Sequence, residues 1–220
     1  MWGYLHPHAD EETTTDKITT SAVATVPGLH YVRDYLSQQE QAQLLIIVDR
    51  HPWLRDLKRL VQHYGYRYDY KRRMAPRSMF LGPLPVWVVT LIERLVHDGW
   101  APLPPDQLIS NEYMPGQGIA SHIDCVPCFG DPILAISLGS PCVMLFGHPR
   151  TGVQVPVLIE PGSLYVMQGE GRYQWKHGIM ARKSDVYSGR RIQRGRRISL
   201  TFRTVIQQAF NPTAKEAGHG

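Results

Sequence analysis

The chain has 220 residues, 43% of them hydrophobic and 20% charged, with a formal net charge of +5. That composition fits one globular domain with a real core, and the basic balance favours acidic partners, nucleic acid foremost. No apolar run is long enough for a membrane span, no basic-then-apolar leader opens the chain, and three cysteines do not make a disulfide scaffold, so a monomer in a reducing cytoplasm is expected.

Residues 1–25 lack apolar periodicity and are expected to be a flexible lead-in, with the domain itself spanning 26–210 and a flexible tail at 211–220. Ser37-x-x-Glu40 is a capping box, and the helix it opens places Leu44, Leu45 and Val48 on one face. Tyr64, Tyr66, Tyr68 and Tyr70 then recur at every second position, with Arg67 among them and Lys71 directly after. On a strand or hairpin that puts four rings on one side, which suits a lid over residues 60–80 in which rings stack on bases and cations meet phosphates. Tyr64, Tyr66 and Arg67 are the candidate substrate contacts, although most such rings pack inward. Pro85 opens a second helix with Val86, Val89, Ile92 and Val96 on one stripe.

From about residue 107 the pattern changes to short β-branched and aromatic runs broken by Gly and Pro. Strands are expected at 107–113, 133–138, 142–146, 154–159, 163–167, 172–177 and 197–205. The fold class is therefore α+β, a jelly-roll core with supporting N-terminal helices.

Ser121-His122-Ile123-Asp124 supplies a histidine and a carboxylate at i and i+2, which share a face on a strand. His177, 55 residues on (177 − 122), is the candidate third ligand. Two histidines and one carboxylate with open positions opposite are the donor set of non-haem Fe(II) oxygenases, although a zinc hydrolase also uses such ligands and a lone His-x-Asp is a common surface pair. Cys125 and Cys128 follow at once and read as free thiols. Farther on, Arg197-Ile198-Ser199-Leu200-Thr201-Phe202-Arg203 alternates strictly, with two arginines, a serine and a threonine on one face. Turned into a barrel, that face suits a small dicarboxylate, because a guanidinium fork pairs with a carboxylate; turned outward, it is an ordinary edge strand.

Taken together, Asn111-Glu112-Tyr113, Pro115-Gly116, the His-x-Asp, Ser137-Leu138-Gly139, Trp175-Lys176-His177-Gly178 and Arg-x5-Arg resemble the AlkB family of Fe(II)/2-oxoglutarate dioxygenases over residues 60–205. The resemblance implies Fe(II) on His122, Asp124 and His177, which are thereby the catalytic residues, and 2-oxoglutarate on Asn111, Tyr113, Arg197 and Arg203, with O₂ as oxidant. It implies oxidative demethylation of N-alkylated bases such as 1-methyladenine and 3-methylcytosine in single-stranded DNA or RNA. Met114 to Ile119, Gly162 to Met167 and Arg172-Tyr173 look closest to the oxygenase domain of tRNA wobble-uridine hydroxylases, so hydroxylation of a modified uridine, or demethylation of a protein, is the alternative. One departure bears on this choice: base-repair members often carry an acidic residue two places after the metal Asp, and here that residue is Val126.

Overall fold

The computed structural model describes residues 14–55 and 57–206, with side chains from Thr19 onward. Twelve strands and four α-helices follow in the order α1 (Thr14–Ala24), β1 (Leu29–Val32), α2 (Gln38–Asp49), β2 (Leu60–Tyr64), α3 (Val86–His97), β3 (Gln107–Tyr113), β4 (Ile119–His122), β5 (Ile133–Gly139), β6 (Cys142–Gly147), β7 (Gln154–Ile159), β8 (Leu164–Met167), α4 (Gly169–Tyr173), β9 (Lys176–Ile179), β10 (Ser184–Tyr187), β11 (Arg190–Gln193) and β12 (Arg197–Arg203). A six-stranded antiparallel sheet, β1-β8-β5-β12-β3-β2, faces a four-stranded one, β4-β9-β6-β7, and β10-β11 forms a separate hairpin. This is the jelly roll with supporting helices that the strand pattern implied.

Three local expectations are corrected. Residues 14–24, expected as part of a flexible lead-in, form α1, where Thr19 is buried and its hydroxyl meets the Tyr187 hydroxyl at 3.1 Å; residues 1–13 and 207–220, including the expected tail, lie outside the described residues. The run 172–177 is not one strand: α4 occupies 169–173, and β9 begins only at Lys176. In α3 the buried face is Val88, Leu91, Ile92 and Leu95, whereas Val86 and Val89 are exposed. That helix is apolar on nearly all sides, so its sequence carried more than one possible stripe, and packing chose between them. The Ser37–Glu40 capping box forms as expected, and Leu44 and Val48 point inward.

The six-stranded sheet has two unlike faces. Ile198, Leu200 and Phe202 of β12 join Leu134, Ile136, Leu138, Leu164 and Val166 under α2 and α3. The alternate residues, Arg197, Ser199, Thr201 and Arg203, look the other way, into a cavity of about 310 Å³ between the sheets. All seven residues of β3 and of β12 are buried, because each strand has a partner on both edges and a layer on both faces. No helix among the described residues is long and apolar enough to cross a membrane.

Candidate metal and anion site

The metal candidates converge at the rim of this cavity. His122 ends β4 and lies opposite His177 of β9 in the strand register, and their rings are 4.5 Å apart. Gly178 permits that approach, since a Cβ there would meet Ser121 backbone atoms at 2.9 Å. Asp124 is not on the strand, which stops at His122, yet its Oδ1 lies 3.4 Å from His122 Nε2. One donor atom from each of the three residues lies within 4.8 Å of the others.

The protonation of these groups suits a cation. His122 Nδ1 is 2.8 Å from the Ala120 carbonyl, which can only accept, so that contact turns the ring with Nε2 toward Asp124. Burial is the largest influence on His177 and, with the neighbouring His122, pushes it down to about 3, so its imidazole stays neutral and able to ligate. Burial alone would push Asp124 up; the Arg203 guanidinium and the His122 contact outweigh it and hold the carboxyl well below the usual range. Two imidazoles and one carboxylate in mutual reach are a fitting donor set for Fe(II).

The anion candidates line the same cavity. Asn111, Tyr113, Arg197 and Arg203 all reach it, from β3 and β12, which pair with Arg197 opposite Tyr113 and Ser199 opposite Asn111. Arg203 donates from Nε to Asp124 Oδ2 at 3.1 Å and so stands at the metal end, while Arg197 donates from Nε to the Ser137 hydroxyl at 3.0 Å, six residues back along the strand. Arg197 Nη2 and Arg203 Nη1 are buried without a hydrogen-bond partner among the described residues. A buried guanidinium N–H left unpaired is costly, and a carboxylate in the cavity would relieve it.

The lid differs from expectation. Tyr64 ends β2 and turns to the helix side, edge-on to Trp87, with its hydroxyl donating to Gln62 Oε1 at 3.0 Å. Tyr66 pairs with Phe80, their rings 5.1 Å apart, and Arg67 holds Met79 through its backbone N–H. None of these three lines the cavity; Tyr68 and Tyr70 do, together with Arg73. Strand geometry ends at Tyr64, after which Gly65 takes a positive φ of 74° and the every-second-residue rule no longer applies. The rings then face where the 66–80 hairpin sends them.

Two features of the site depart from or go beyond the sequence expectation. Arg59 donates to Asn111 Oδ1 at 2.9 Å and lies over the rings of Tyr70 and Tyr113, a contact made across 52 residues. Cys125 and Cys128, read as free thiols, are joined as a disulfide, which leaves the buried Cys142 as the free cysteine. Both bonded sulfurs rest against the Arg73 carbonyl, at 3.3 and 3.0 Å.

Comparison with known proteins bears on the same residues. A family model described as the 2OG-Fe(II) oxygenase superfamily matches residues 30–203. The chain is 39% identical over 215 residues to the tRNA (carboxymethyluridine(34)-5-O)-methyltransferase ALKBH8 of Macaca fascicularis, covering 86% of this chain and 32% of that protein. It is 35% identical over 203 residues to the Alkylated DNA repair protein ALKBH8 homolog of Arabidopsis thaliana, covering 82% of this chain and 59% of that one. The chain thus spans about a third of the length of the methyltransferases it matches. Among solved structures, that of OsALKBH1 aligns with a TM-score of 0.59 at 19% identity, over 81% of this chain and 98% of the other, a likeness of fold.

Proposed function

The chain belongs to the 2OG-Fe(II) oxygenase superfamily and is AlkB-like, which makes it an Fe(II)- and 2-oxoglutarate-dependent oxidoreductase; from that premise we propose that it oxidatively demethylates N-alkylated bases, 1-methyladenine and 3-methylcytosine among them, in single-stranded DNA or RNA. The observation that carries the reading is the placement of the His122, Asp124 and His177 donors at one end of a cavity whose wall presents unpaired guanidinium nitrogens of Arg197 and Arg203 and whose cover presents Tyr68 and Tyr70.

When bound, Fe(II) with 2-oxoglutarate and O₂ supplies the oxidising power to place a hydroxyl on an unactivated C–H bond. In this reading His122, Asp124 and His177 hold the ion. Arg197 and Asn111 take the carboxylate of 2-oxoglutarate far from the metal, Tyr113 closes that wall, and Arg203 keeps Asp124 ionised while binding the near end. Tyr68 packs tilted against Phe129 and meets Tyr70 edge-on, so the inner lid is an aromatic wall that an extruded base can lie against and that keeps water out. Exposed Lys71, Arg72 and Arg73 beside it suit the phosphates of a single strand. An N-hydroxymethyl base then releases formaldehyde without further help from the protein.

A second reading, hydroxylation of a modified uridine in tRNA, is favoured by Val126, which stands 45% exposed where an acidic residue could read an exocyclic amine, and by the likeness to ALKBH8, named for a carboxymethyluridine of tRNA. Succinate and formaldehyde should form when methylated DNA and RNA oligonucleotides are incubated with the protein, Fe(II) and 2-oxoglutarate, and not with His122→Ala. Succinate without formaldehyde, with one oxygen added to tRNA by mass spectrometry, would transfer the assignment to the second reading. No succinate on any nucleic acid would sink both.

A further inference from the structure

The three candidate ligands are held by different means. His122 and His177 face each other across the pairing of β4 with β9, so the backbone ladder sets their spacing. Asp124 lies two residues beyond the end of β4 and belongs to a loop that rejoins regular structure only where Phe129 bridges to Val205. A ligand on a loop keeps its place only if something else holds the backbone.

Arg172 lies beneath that loop, 2% exposed. It donates from Nη1 to the Asp124 carbonyl at 3.0 Å, from Nη2 to the Phe129 and Cys125 carbonyls at 3.1 and 3.3 Å, and from Nε to the Gly130 carbonyl at 3.4 Å. These acceptors are all backbone carbonyls of one short loop. A buried cation is expensive unless its donors are engaged, and here they are engaged on the segment that starts at the carboxylate ligand. Arg172 also belongs to α4, five residues before His177 (177 − 172). That helix is pinned in its own right: the Gly169 N–H donates to Asp131 Oδ2 at 2.8 Å, and the Gly171 N–H to the Pro27 carbonyl at 2.7 Å.

We infer that Arg172 is a positioning residue for the metal site, fixing Asp124 from its backbone side and tying that loop to the segment that carries His177. Arg203 restrains the same residue from the carboxylate side, so the loop ligand is gripped at both ends while the histidines need only the ladder. The inference rests on His122, Asp124 and His177 being the iron ligands.

The test is a titration of metal-free protein with Co(II), reading affinity, the visible absorption of the bound ion and thermal unfolding, for wild type, Arg172→Lys and Asp131→Ala. Arg172→Lys keeps the cation and loses the fork; Asp131→Ala loosens α4 without removing a buried charge. Co(II) affinity should fall roughly tenfold or more in Arg172→Lys, with an altered absorption spectrum, and by less in Asp131→Ala. A lowered unfolding temperature with wild-type affinity and spectrum would overturn the inference, since Arg172 would then serve the fold alone. Should Arg172→Lys not fold, Asp131→Ala decides, and unchanged affinity and spectrum there overturn it equally. Wild-type protein that binds no Co(II) removes the metal-site reading and the inference with it.

Discussion

The two faces of β12 differ by one residue in sequence and by almost everything in chemistry. Ile198, Leu200 and Phe202 are fully buried among aliphatic side chains, where the free energy comes from apolar area removed from water. Arg197, Ser199, Thr201 and Arg203 are buried to nearly the same extent, yet their face carries two guanidinium groups with unpaired nitrogens. One face stabilises the fold; the other is polar at a cost to stability, and under the proposed function it is the face that takes a dicarboxylate beside the metal. The difference teaches that burial by itself does not separate core from site. On this strand the chemistry of the buried atoms does: one face is all hydrocarbon, the other carries guanidinium and hydroxyl groups that line the cavity.

The sharpest break comes from the candidate metal ligands on the cavity side. His177→Ala should reduce succinate formation to background while leaving the unfolding temperature of metal-free protein within a few degrees of wild type, measured by calorimetry. On the helix side Phe202→Ala should do the opposite, costing about 3–5 kcal/mol of stability with an unchanged KM for 2-oxoglutarate in the folded fraction, by denaturant titration and steady-state kinetics. Acid should affect the cavity side of metal-free protein first. His177 falls from 6.5 unfolded to about 3 folded, so the unfolded chain binds a proton that the native state refuses; stability is fully present above about 6.5 and is lost as pH drops toward 3, on the order of a few kcal/mol. His177→Gln should flatten that slope in chemical denaturation across pH. Arg197→Met should weaken 2-oxoglutarate binding by about 1.5–3 kcal/mol, roughly ten- to a hundredfold, by calorimetric titration. It should leave stability nearly intact, because its nearest polar partner, Ser137, is neutral. The smallest contrast lies in the lid. Tyr64→Phe removes a paired hydroxyl and should cost about 1 kcal/mol of stability without a kinetic effect. Tyr70→Phe removes a hydroxyl that has no partner among the described residues, so it should cost no stability and change only the KM for the nucleic acid.

Much of the fold could be read in advance, and the reason lies in periodicity. Strict alternation over Arg197 to Arg203, and the capping box at Ser37, are short-range patterns whose consequences are local, and both appear in the structure as expected. The exceptions follow the same rule. In α3 the sequence is apolar on several sides, so no pattern singled out Val88 over Val89. In the stretch 172–177, Trp175 and Tyr173 imitate a strand, while Gly169 and Gly171 let the chain turn as a short helix against Pro27.

The amino-acid sequence by itself determined which residue types could make a metal and anion site, and their order along the chain, because donor chemistry and alternation are carried by neighbours. Only the tertiary structure decided which tyrosines face the cavity, that Arg59 reaches Asn111, that Cys125 and Cys128 are joined, and that Arg172 lies under the Asp124 loop. These contacts, apart from the cysteine pair, bring together segments many residues apart or depend on where a strand ends. Sheet packing sets such distances, and no spacing in the chain encodes them.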